Sequence, residues 1–524
     1  MSASTEKKQR QAAREAGTDK KTLAEQEAAK KKAKSNRRWT LGTIGVILLI
    51  ALILFLNSSF LYTHTTAISV GDASYSPAEV SYVYANRYYN WIQSYGSYAS
   101  IFGLDTSTGI AGLKQQKCPM YDDGRTWHDY FMEEARSELS QMTALCAWAD
   151  TNGVTLTDEE IAEVDDSIAT LDSSARAGGY ASGDKYFSAN YGTGVTSAIV
   201  REMALKSALA NKASSEYAAS LEYTDAELEE HYQSLDGAQD KFSFSYYLVN
   251  AEKVESTDAD GNTSSAVTEE TTAAAKDAAD DILTAYTALK QSNPDDDNYT
   301  AMLNSAVTQV APTAEATERS NITGGNLGDY KEWLMASGRK AGDATVVDKA
   351  DGSGSYVVVF LDRSDNHYPV AQVRHILIKA AADSDGSYTD KAKEIAKNRA
   401  EELLAEFNAG DKTEDSFAEL AKDYSEDTGS AENGGLYDAV YKGATVEEFD
   451  KFCFEGHKKG DTAIVYGESS SYAGYHVMYY VGEGDLYSNL LAKNDLVNTT
   501  VSQWLEDQVN ALTVTNGWWL RIAG

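Results

Sequence analysis

The sequence is poor in cysteine, and this scarcity restricts the chemistry that the chain can carry. Three cysteines occur in 524 residues, and none has the spacing of a metal-binding motif. Cys118 and Cys146 are candidates for a disulfide, with two free thiols as the alternative, whereas Cys453 lies in an apolar strip. We therefore expect neither a metal nor another cofactor.

Positive charge is scarce outside the first 38 residues. The chain has 46 Lys and Arg against 80 Asp and Glu, which gives a net charge of −34. Residues 1–38 hold 12 of the basic residues and five of the acidic ones, a net charge of +7, so the rest of the chain carries −41. An acidic body repels phosphates, so nucleic acid is not expected as a partner.

Charge of either sign is absent between Arg38 and Asp72. This stretch contains an apolar run at 41–56 and is long enough for the roughly 20-residue helix that crosses a bilayer. We expect a single transmembrane helix at 39–62, with a cleaved signal peptide as the alternative. The positive-inside bias then makes residues 1–38 a basic cytoplasmic tail, disordered or loosely helical, and places the body outside the cell membrane.

The functional prediction depends on one region of the chain. This region begins and ends with a segment that is typical of a strand, and each of the two segments contains one histidine. Residues 373–378 and 474–481 are rich in Val, Ile and Tyr, which favours two neighbouring strands of one sheet. Between them, Thr389 is typical of a helix N-cap and Gly410 of a helix end. The helix has an apolar face that consists of Ala396, Ala400, Leu403, Leu404 and Phe407.

Several short motifs in this region occur in the order found in one enzyme family. They are His-Ile-Leu-Ile at 375–378, Phe-Ala-Glu-Leu-Ala-Lys at 417–422 with Tyr-Ser-Glu-Asp at 424–427, Asn-Gly-Gly at 433–435, Glu-Glu-Phe-Asp at 447–450, Lys-Gly-Asp at 459–461 and Gly-Tyr-His-Val at 474–477. In this combination the region resembles the parvulin family of peptidyl-prolyl cis/trans isomerases. The resemblance covers about a fifth of the chain and implies an α+β isomerase domain at 366–486.

The resemblance also implies a set of catalytic residues. The paired histidines of the family fall on His375 and His476, and its cysteine-or-aspartate position falls on Asp427. We expect the two imidazoles to bond each other or a hydroxyl such as that of Ser471. Asp427 is expected to face the substrate carbonyl or to tune the histidine pair.

The substrate pocket implied by the resemblance is apolar and holds the proline ring. Phe449 and Leu436 are expected to line it. Thr445 stands where many relatives carry a methionine, which predicts a smaller and wetter pocket and low activity. Acidic residues follow the first strand, so selectivity for phosphorylated substrates is not expected.

Residues 241–365 resemble a second copy of the isomerase unit that has lost its site. The ends of this segment, both typical of strands, align with those of the isomerase region. The two histidine positions are then Tyr246 and Tyr356. Thr317 stands where counting back from a Gly324-Gly325 turn places the aspartate. We expect an inactive scaffold or client-contact domain, with an exposed polar loop in its first half, at 258–272.

The remaining segments are predicted to be helical. Residues 64–240 contain two capping boxes, Thr157 to Glu160 and Thr224 to Glu227, which mark helix starts. This arrangement resembles the amino-terminal region of exported parvulin-type foldases of the SurA and PrsA kind, where a helical module holds clients. Residues 487–524 are expected to form a helix and tail that return to this module, and a peripheral membrane contact by Trp518 and Trp519 is the alternative for the tail.

Together these patterns predict an α+β chain with one transmembrane helix, a helical module and two tandem parvulin-like domains. The expected function is that of a membrane-anchored extracytoplasmic isomerase, which assists exported polypeptides to fold at Xaa-Pro bonds. Such bonds rotate slowly because the barrier is about 18–20 kcal/mol. The alternatives are a non-catalytic client-binding chaperone and a structural or adhesion protein of the cell envelope.

Overall fold

The computed structural model describes residues 3–18, 20–56, 58–257 and 263–524. Its α-helices are α1 (Ala3–Glu15), α2 (Lys20–Leu56), α3 (Phe60–His64), α4 (Pro77–Tyr95), α5 (Trp127–Asn152), α6 (Asp158–Ala177), α7 (Gly183–Asn190), α8 (Ser197–Ala219), α9 (Asp225–Ser234), α10 (Glu269–Ser292), α11 (Tyr299–Val310), α12 (Lys331–Met335), α13 (Asp390–Ala409), α14 (Glu414–Tyr424), α15 (Glu447–Phe454) and α16 (Tyr487–Asn510). Its strands are β1 (Ile68–Val70), β2 (Ala73–Tyr75), β3 (Lys241–Asn250), β4 (Lys253–Thr257), β5 (Thr263–Val267), β6 (Thr317–Thr323), β7 (Ala344–Asp348), β8 (Gly354–Ser364), β9 (Pro369–Lys379), β10 (Leu436–Val440), β11 (Thr462–Glu468), β12 (Ala473–Leu486) and β13 (Val514–Asn516).

Apart from residues 16–18 and 58–59, the described part of the first 64 residues is helical. Helices α1 and α2 cover most of the predicted tail, and α2 and α3 divide the apolar stretch between them. Among the described residues, no helix combines the length and the apolar character that crossing a membrane requires. The transmembrane helix predicted at 39–62 is therefore not confirmed, and position 57 of that segment lies outside the described residues.

The chain divides into two compact units, of which the first comprises Met1–Leu221 and Thr499–Gly524. Its core is formed mainly by α4, α5 and α8, with Trp127, Phe131 and Leu139 almost fully buried. One small sheet joins the two ends of this unit, because β1 pairs with both β2 and β13. In the same core, Trp504 stacks on Tyr217 with ring centroids 3.9 Å apart.

The aromatic residues of α4 divide into a buried group and an exposed group. Tyr84 and Tyr88 are buried in the core, whereas Tyr89 and Tyr95 are exposed.

The three cysteines of the chain are free thiols. The disulfide considered between Cys118 and Cys146 therefore does not form.

The second unit, Glu222–Asn498, contains two four-stranded antiparallel sheets. The first has the strand order β6-β3-β8-β7 and the second has the order β10-β9-β12-β11. Helices α10 and α11 bury their apolar faces on the first sheet, and α13 and α14 bury theirs on the second. Thr389 caps α13 and Gly410 ends it, as the sequence predicts.

The first sheet corrects two details of the sequence prediction. Thr317 pairs with Tyr246 at the start of β6, and the Gly324-Gly325 pair follows this strand rather than preceding it. Thr317 is therefore not at the aspartate position. The exposed loop predicted at 258–272 is replaced from residue 263 onward by β5 and the start of α10, while residues 258–262 lie outside the described residues.

Candidate active site

The two histidines lie on adjacent antiparallel strands at the centre of the second sheet. His375 of β9 pairs with Met478, and His476 of β12 pairs with Leu377, so the histidines are diagonal neighbours on one face. Their Nδ1 atoms are 3.0 Å apart. Only 2% of His375 and 4% of His476 is exposed. The register of two strands therefore brings together imidazoles that are 101 positions apart in the sequence.

Asp427 reaches this pair from the loop that follows α14. Its Oδ2 accepts a hydrogen bond from Nε2 of His375 at 3.0 Å and one from Oγ of Ser430 at 2.5 Å. The hydroxyl of Tyr437 donates to the same oxygen at 3.1 Å. The hydrogen bond from His375, followed by that from Ser430, holds the pKa of Asp427 well below its usual range, against the effect of burial. Asp427 is therefore a carboxylate at neutral pH.

The hydrogen bonds define one consistent arrangement of protons. A carboxylate only accepts, so Nε2 of His375 carries a proton, and with a single proton on that ring its Nδ1 is the acceptor. Nδ1 of His476 must then donate, which leaves its Nε2 to accept from the hydroxyl of Tyr472 at 2.9 Å. Burial, followed by the proximity of His375, lowers the pKa of His476 to about 3. In this arrangement the donors run in one direction, from Tyr472 through both imidazoles to Asp427.

Phe449 of α15 forms the apolar side of the site. Its ring centroid lies 5.3 Å from that of His375 and 5.2 Å from that of His476, in both cases edge to face. Phe449 is 1% exposed and belongs to a core cluster that also contains Met478. The structure therefore places Phe449 next to both histidines, and its role in holding a proline ring stays a prediction.

Leu436, a residue of the predicted pocket, lies on the other face of the sheet from the histidines. Leu436 and Tyr437 are consecutive on β10, so their side chains lie on opposite faces of the sheet. It is Tyr437, 4.8 Å from the His375 ring, that lies on the side of the histidines. The prediction for Leu436 is wrong by one residue, because strand register sets the face and a shift of one reverses it.

The hydroxyl that bonds the histidine pair also differs from the predicted one. Ser471 is exposed in the turn between β11 and β12, where its Oγ lies 3.1 Å from that of Ser469. Tyr472 takes the predicted role because its longer side chain reaches Nε2 of His476. Thr445 lies in the turn before α15, half-buried, and its hydroxyl has no partner among the described residues.

Two glycines make room for these contacts. Gly435 has a φ of +69°, and a Cβ there would lie 2.1 Å from the carbonyl oxygen of His375. A Cβ at Gly467 would lie 2.7 Å from Nε2 of His476 and 3.0 Å from the Tyr472 hydroxyl. The Asn-Gly-Gly motif thus allows the loop of Asp427 to pass close to the histidine strand.

The sequence did not single out Ser430, Tyr437 or Tyr472. Ser430 lies three residues after Asp427, in the turn that Asp427 begins, and this spacing was the available signal. The partners of the two tyrosines depend on the folded loops. Within the described ranges, no group of three or more His, Cys, Asp and Glu is arranged to hold a metal ion.

Comparison with known proteins relates this domain to a class of isomerases. Residues 358–480 match the family described as the PPIC-type PPIASE domain. The predicted parvulin-type isomerase domain is confirmed by this match, which supports peptidyl-prolyl cis/trans isomerase activity.

The curated relatives are foldases and chaperones. The chain is 29% identical to foldase protein PrsA 3 of Bacillus anthracis over 29% of this chain and 48% of the relative. It is 37% identical to chaperone SurA of Alcanivorax borkumensis over 19% of this chain and 21% of the relative. The chain spans about half the length of the first of these relatives.

Among solved structures, the peptidylprolyl isomerase PrsA from Bacillus anthracis is 23% identical to this chain. The match covers 28% of this chain and 59% of that one, with a TM-score of 0.18.

Proposed function

We propose that the chain is a foldase that isomerises Xaa-Pro bonds in client polypeptides at the site of His375, His476 and Asp427. The observation that carries this proposal is the hydrogen-bonded series from Tyr472 through both imidazoles to Asp427, next to the apolar ring of Phe449. It lies within the residues that match the isomerase family. An apolar wall next to fixed polar groups is what rotation of a prolyl amide requires.

The chemistry needs no covalent bond to break. A planar amide carries partial negative charge on its carbonyl oxygen, and this charge falls as the bond twists and resonance is lost. A carboxylate beside the carbonyl disfavours the planar form more than the twisted one, so it lowers the barrier. The histidine pair holds Asp427 ionised and in place, while Phe449 binds the proline ring.

An isomerisation assay of the full chain tests this proposal. Exchange between the cis and trans forms of a blocked Xaa-Pro peptide is measured by NMR, with Asp427→Asn as the matched variant that keeps the shape and removes the charge. We expect catalysed exchange by the wild type and a loss of about 100-fold in the variant. Equal exchange rates for the two proteins would show that the carboxylate has no part in the reaction.

A second activity, the binding of unfolded clients, is favoured by exposed aromatic side chains in the first unit. Tyr95 is 49% exposed, Tyr98 58% and Phe102 39%. Phe102 packs against both Trp91 and Tyr95, with ring centroids 5.8 Å and 6.2 Å apart, so part of this surface is one continuous patch. Contiguous apolar surface of this kind commonly marks an interaction site.

Substitution of the aromatic patch separates this activity from isomerisation. The double variant Tyr95→Ser with Phe102→Ser is expected to suppress the aggregation of a denatured client less well than the wild type, and to isomerise a short peptide equally well. Asp427→Asn is expected to show the reverse pattern. Loss of both activities in either protein would contradict two separate sites.

We also propose that the amino-terminal region tethers the chain to a cell membrane, with residues 1–38 cytoplasmic and the body outside. The supporting features are the apolar run at 41–56 and the basic segment that precedes it. Fractionation of cells that express the full chain tests the proposal. The protein should stay with the membranes in high salt, and deletion of 39–62 should release it. Release of the undeleted protein by salt would contradict the proposal.

A further inference from the structure

Tyr437 lies where a bound proline ring is expected to pack. Its ring centroid is 4.8 Å from that of His375 and 6.0 Å from that of Phe449. Its hydroxyl donates to Oδ2 of Asp427 at 3.1 Å. The phenol therefore spans the distance from the apolar wall to the carboxylate, and these are the two groups that the substrate needs.

A proline ring on Phe449 and the ring of Tyr437 compete for the same space, since both need the apolar surface beside His375. The substrate carbonyl and the Tyr437 hydroxyl also compete for the space beside the carboxylate of Asp427. We propose that Tyr437 closes the proline pocket of this chain and must swing away before an Xaa-Pro segment binds. The inference rests on the proposed function of the site.

The surroundings of Tyr437 permit such a movement. Strand β10 is at the edge of its sheet and pairs only with β9. Its pairing is regular at Tyr437 and shifts before Val440, with Asp438 and Ala439 exposed between them. Tyr437 itself is half-buried, unlike the histidines. Rotation of the Tyr437 side chain alone leaves the pairing of Tyr437 with Val373 unchanged.

The site also keeps its charge arrangement when Tyr437 leaves. Asp427 retains the hydrogen bonds from His375 and Ser430, which are the two main causes of its lowered pKa. Of the three donors to Oδ2, Tyr437 is the one at the longest distance, 3.1 Å against 3.0 Å and 2.5 Å. Movement of Tyr437 out of the pocket therefore removes the longest of the three hydrogen bonds to Asp427.

Binding of a proline peptide to two variants of the full chain tests this inference. Tyr437→Phe keeps the ring and removes its bond to Asp427, whereas Tyr437→Leu removes the ring. Because a partly closed site lowers the apparent affinity in proportion to the open fraction, we expect the Kd to fall about tenfold in Tyr437→Phe and by at least as much in Tyr437→Leu. Tyr424→Leu, at an exposed tyrosine of α14, is the matched control and should leave the Kd unchanged.

The measurement uses a blocked Ala-Ala-Pro-Phe peptide, with the Kd from NMR titration and the isomerisation rate from exchange peaks. Thermal unfolding of each variant establishes that it is folded. In protein with labelled tyrosines, the Tyr437 resonance is assigned by its absence from Tyr437→Phe. Burial and the Asp427 charge raise the pKa of Tyr437 to about 12. Peptide binding should bring that pKa down towards 10, the ordinary value for tyrosine.

The outcomes separate this inference from the proposed function. Tighter binding by both variants supports closure of the pocket by Tyr437. If both variants bind more tightly but neither they nor the wild type isomerise the peptide, the proposed isomerase function fails while closure by Tyr437 stands. Weaker or unchanged binding by both, with an active wild type, overturns closure and makes Tyr437 part of the binding wall. Absence of binding by all the proteins, Tyr437→Leu included, overturns both.

Discussion

The two sheets of the second unit share one architecture and differ in the groups that could form a site. Both have the same strand order, and their central strands pair in the same register. Tyr246 pairs with Val358 as His375 pairs with Met478. The turn before the last two strands also repeats, because the amides of Gly342 and Gly460 donate to the carbonyl groups of Phe360 and Tyr480, each on the last strand of its sheet.

The site residues of one sheet have tyrosine counterparts in the other. Tyr246 and Tyr356 stand at the histidine positions, with ring centroids 5.8 Å apart. Tyr330 contacts both, at 5.9 Å and 5.3 Å, much as Phe449 contacts both histidines. The fold thus tolerates exchange of the polar pair, because the strands and their buried faces hold it together.

The loop that carries the carboxylate is the larger difference. Eleven residues separate α14 from β10, and they include Asp427 and Ser430. In the first sheet α11 ends at Val310 and β6 starts at Thr317, so six residues make the same connection. The comparison shows that a site of this type needs a loop as well as two strands.

The strongest way to test the contrast between the sheets is a matched pair of ring substitutions. His375→Phe and Tyr246→Phe each remove polar atoms and keep an aromatic ring. We expect kcat/KM for a proline peptide to fall at least about 100-fold in the first, because the support of Asp427 is lost, and to stay unchanged in the second. An equal loss in both variants would mean that the first sheet takes part in the reaction.

The second glycine of the pair is expected to tolerate a side chain in the first sheet but not in the second. Gly435→Ala puts a methyl group 2.1 Å from the His375 carbonyl oxygen at a φ of +69°, so it should cost about 3 kcal/mol of unfolding free energy. Gly325→Ala meets its nearest atom at 3.6 Å and should cost less than about 1 kcal/mol. Denaturant unfolding measures both. Similar costs would show that the loop of Asp427 can relax.

Mild acid should weaken the second sheet and leave the first unaffected. The pKa of His476 is lowered from 6.5 to about 3 in the folded state, so the unfolded chain binds a proton first as the pH falls. Stability is thus fully present above pH 6.5 and is lost towards pH 3, by about 2 kcal/mol between pH 6.5 and about pH 5. Asp427, whose pKa is also lowered, adds a loss in the same direction below about pH 4.

Hydrogen exchange resolves this effect strand by strand. Amides of β12 should lose protection between pH 6.5 and pH 5, after correction for the intrinsic exchange rate, while those of β8 should not. His476→Phe, which has no titrating group, should remove the difference. Equal losses in β8 and β12 would assign the pH dependence to the unit as a whole.

The smallest expected effect is that of placing the histidines in the first sheet. Tyr246→His with Tyr356→His, made in the His375→Phe chain, should restore no isomerisation, because the connection from 311 to 316 is shorter and its one carboxylate, that of Glu315, is exposed to solvent. The same NMR exchange assay measures it. Appreciable activity would show that two imidazoles suffice without Asp427.

Local features of the fold were predictable from particular residues. Thr389 and Gly410 bound α13, and Thr157 with Glu160 caps α6, because capping depends on residues within one turn. The features that the sequence analysis placed wrongly depend on contacts between residues that are far apart in the chain. The side chains of Leu436 and Tyr437 point to opposite faces of the sheet, and the pairing of β10 with β9 decides which of them faces the histidines.

The sequence by itself determined the strands with their two histidines, the helices between them and the position of the acidic loop, since these follow from periodicity, capping and turn residues. Only the tertiary structure decided that Tyr472 and Ser430 complete the hydrogen bonds, that Tyr437 rather than Leu436 lies beside His375, and that Thr317 is not at the position that corresponds to Asp427. The physical reason is that a side-chain partner depends on strand register and loop path. Both are set by contacts between segments that are far apart in the chain.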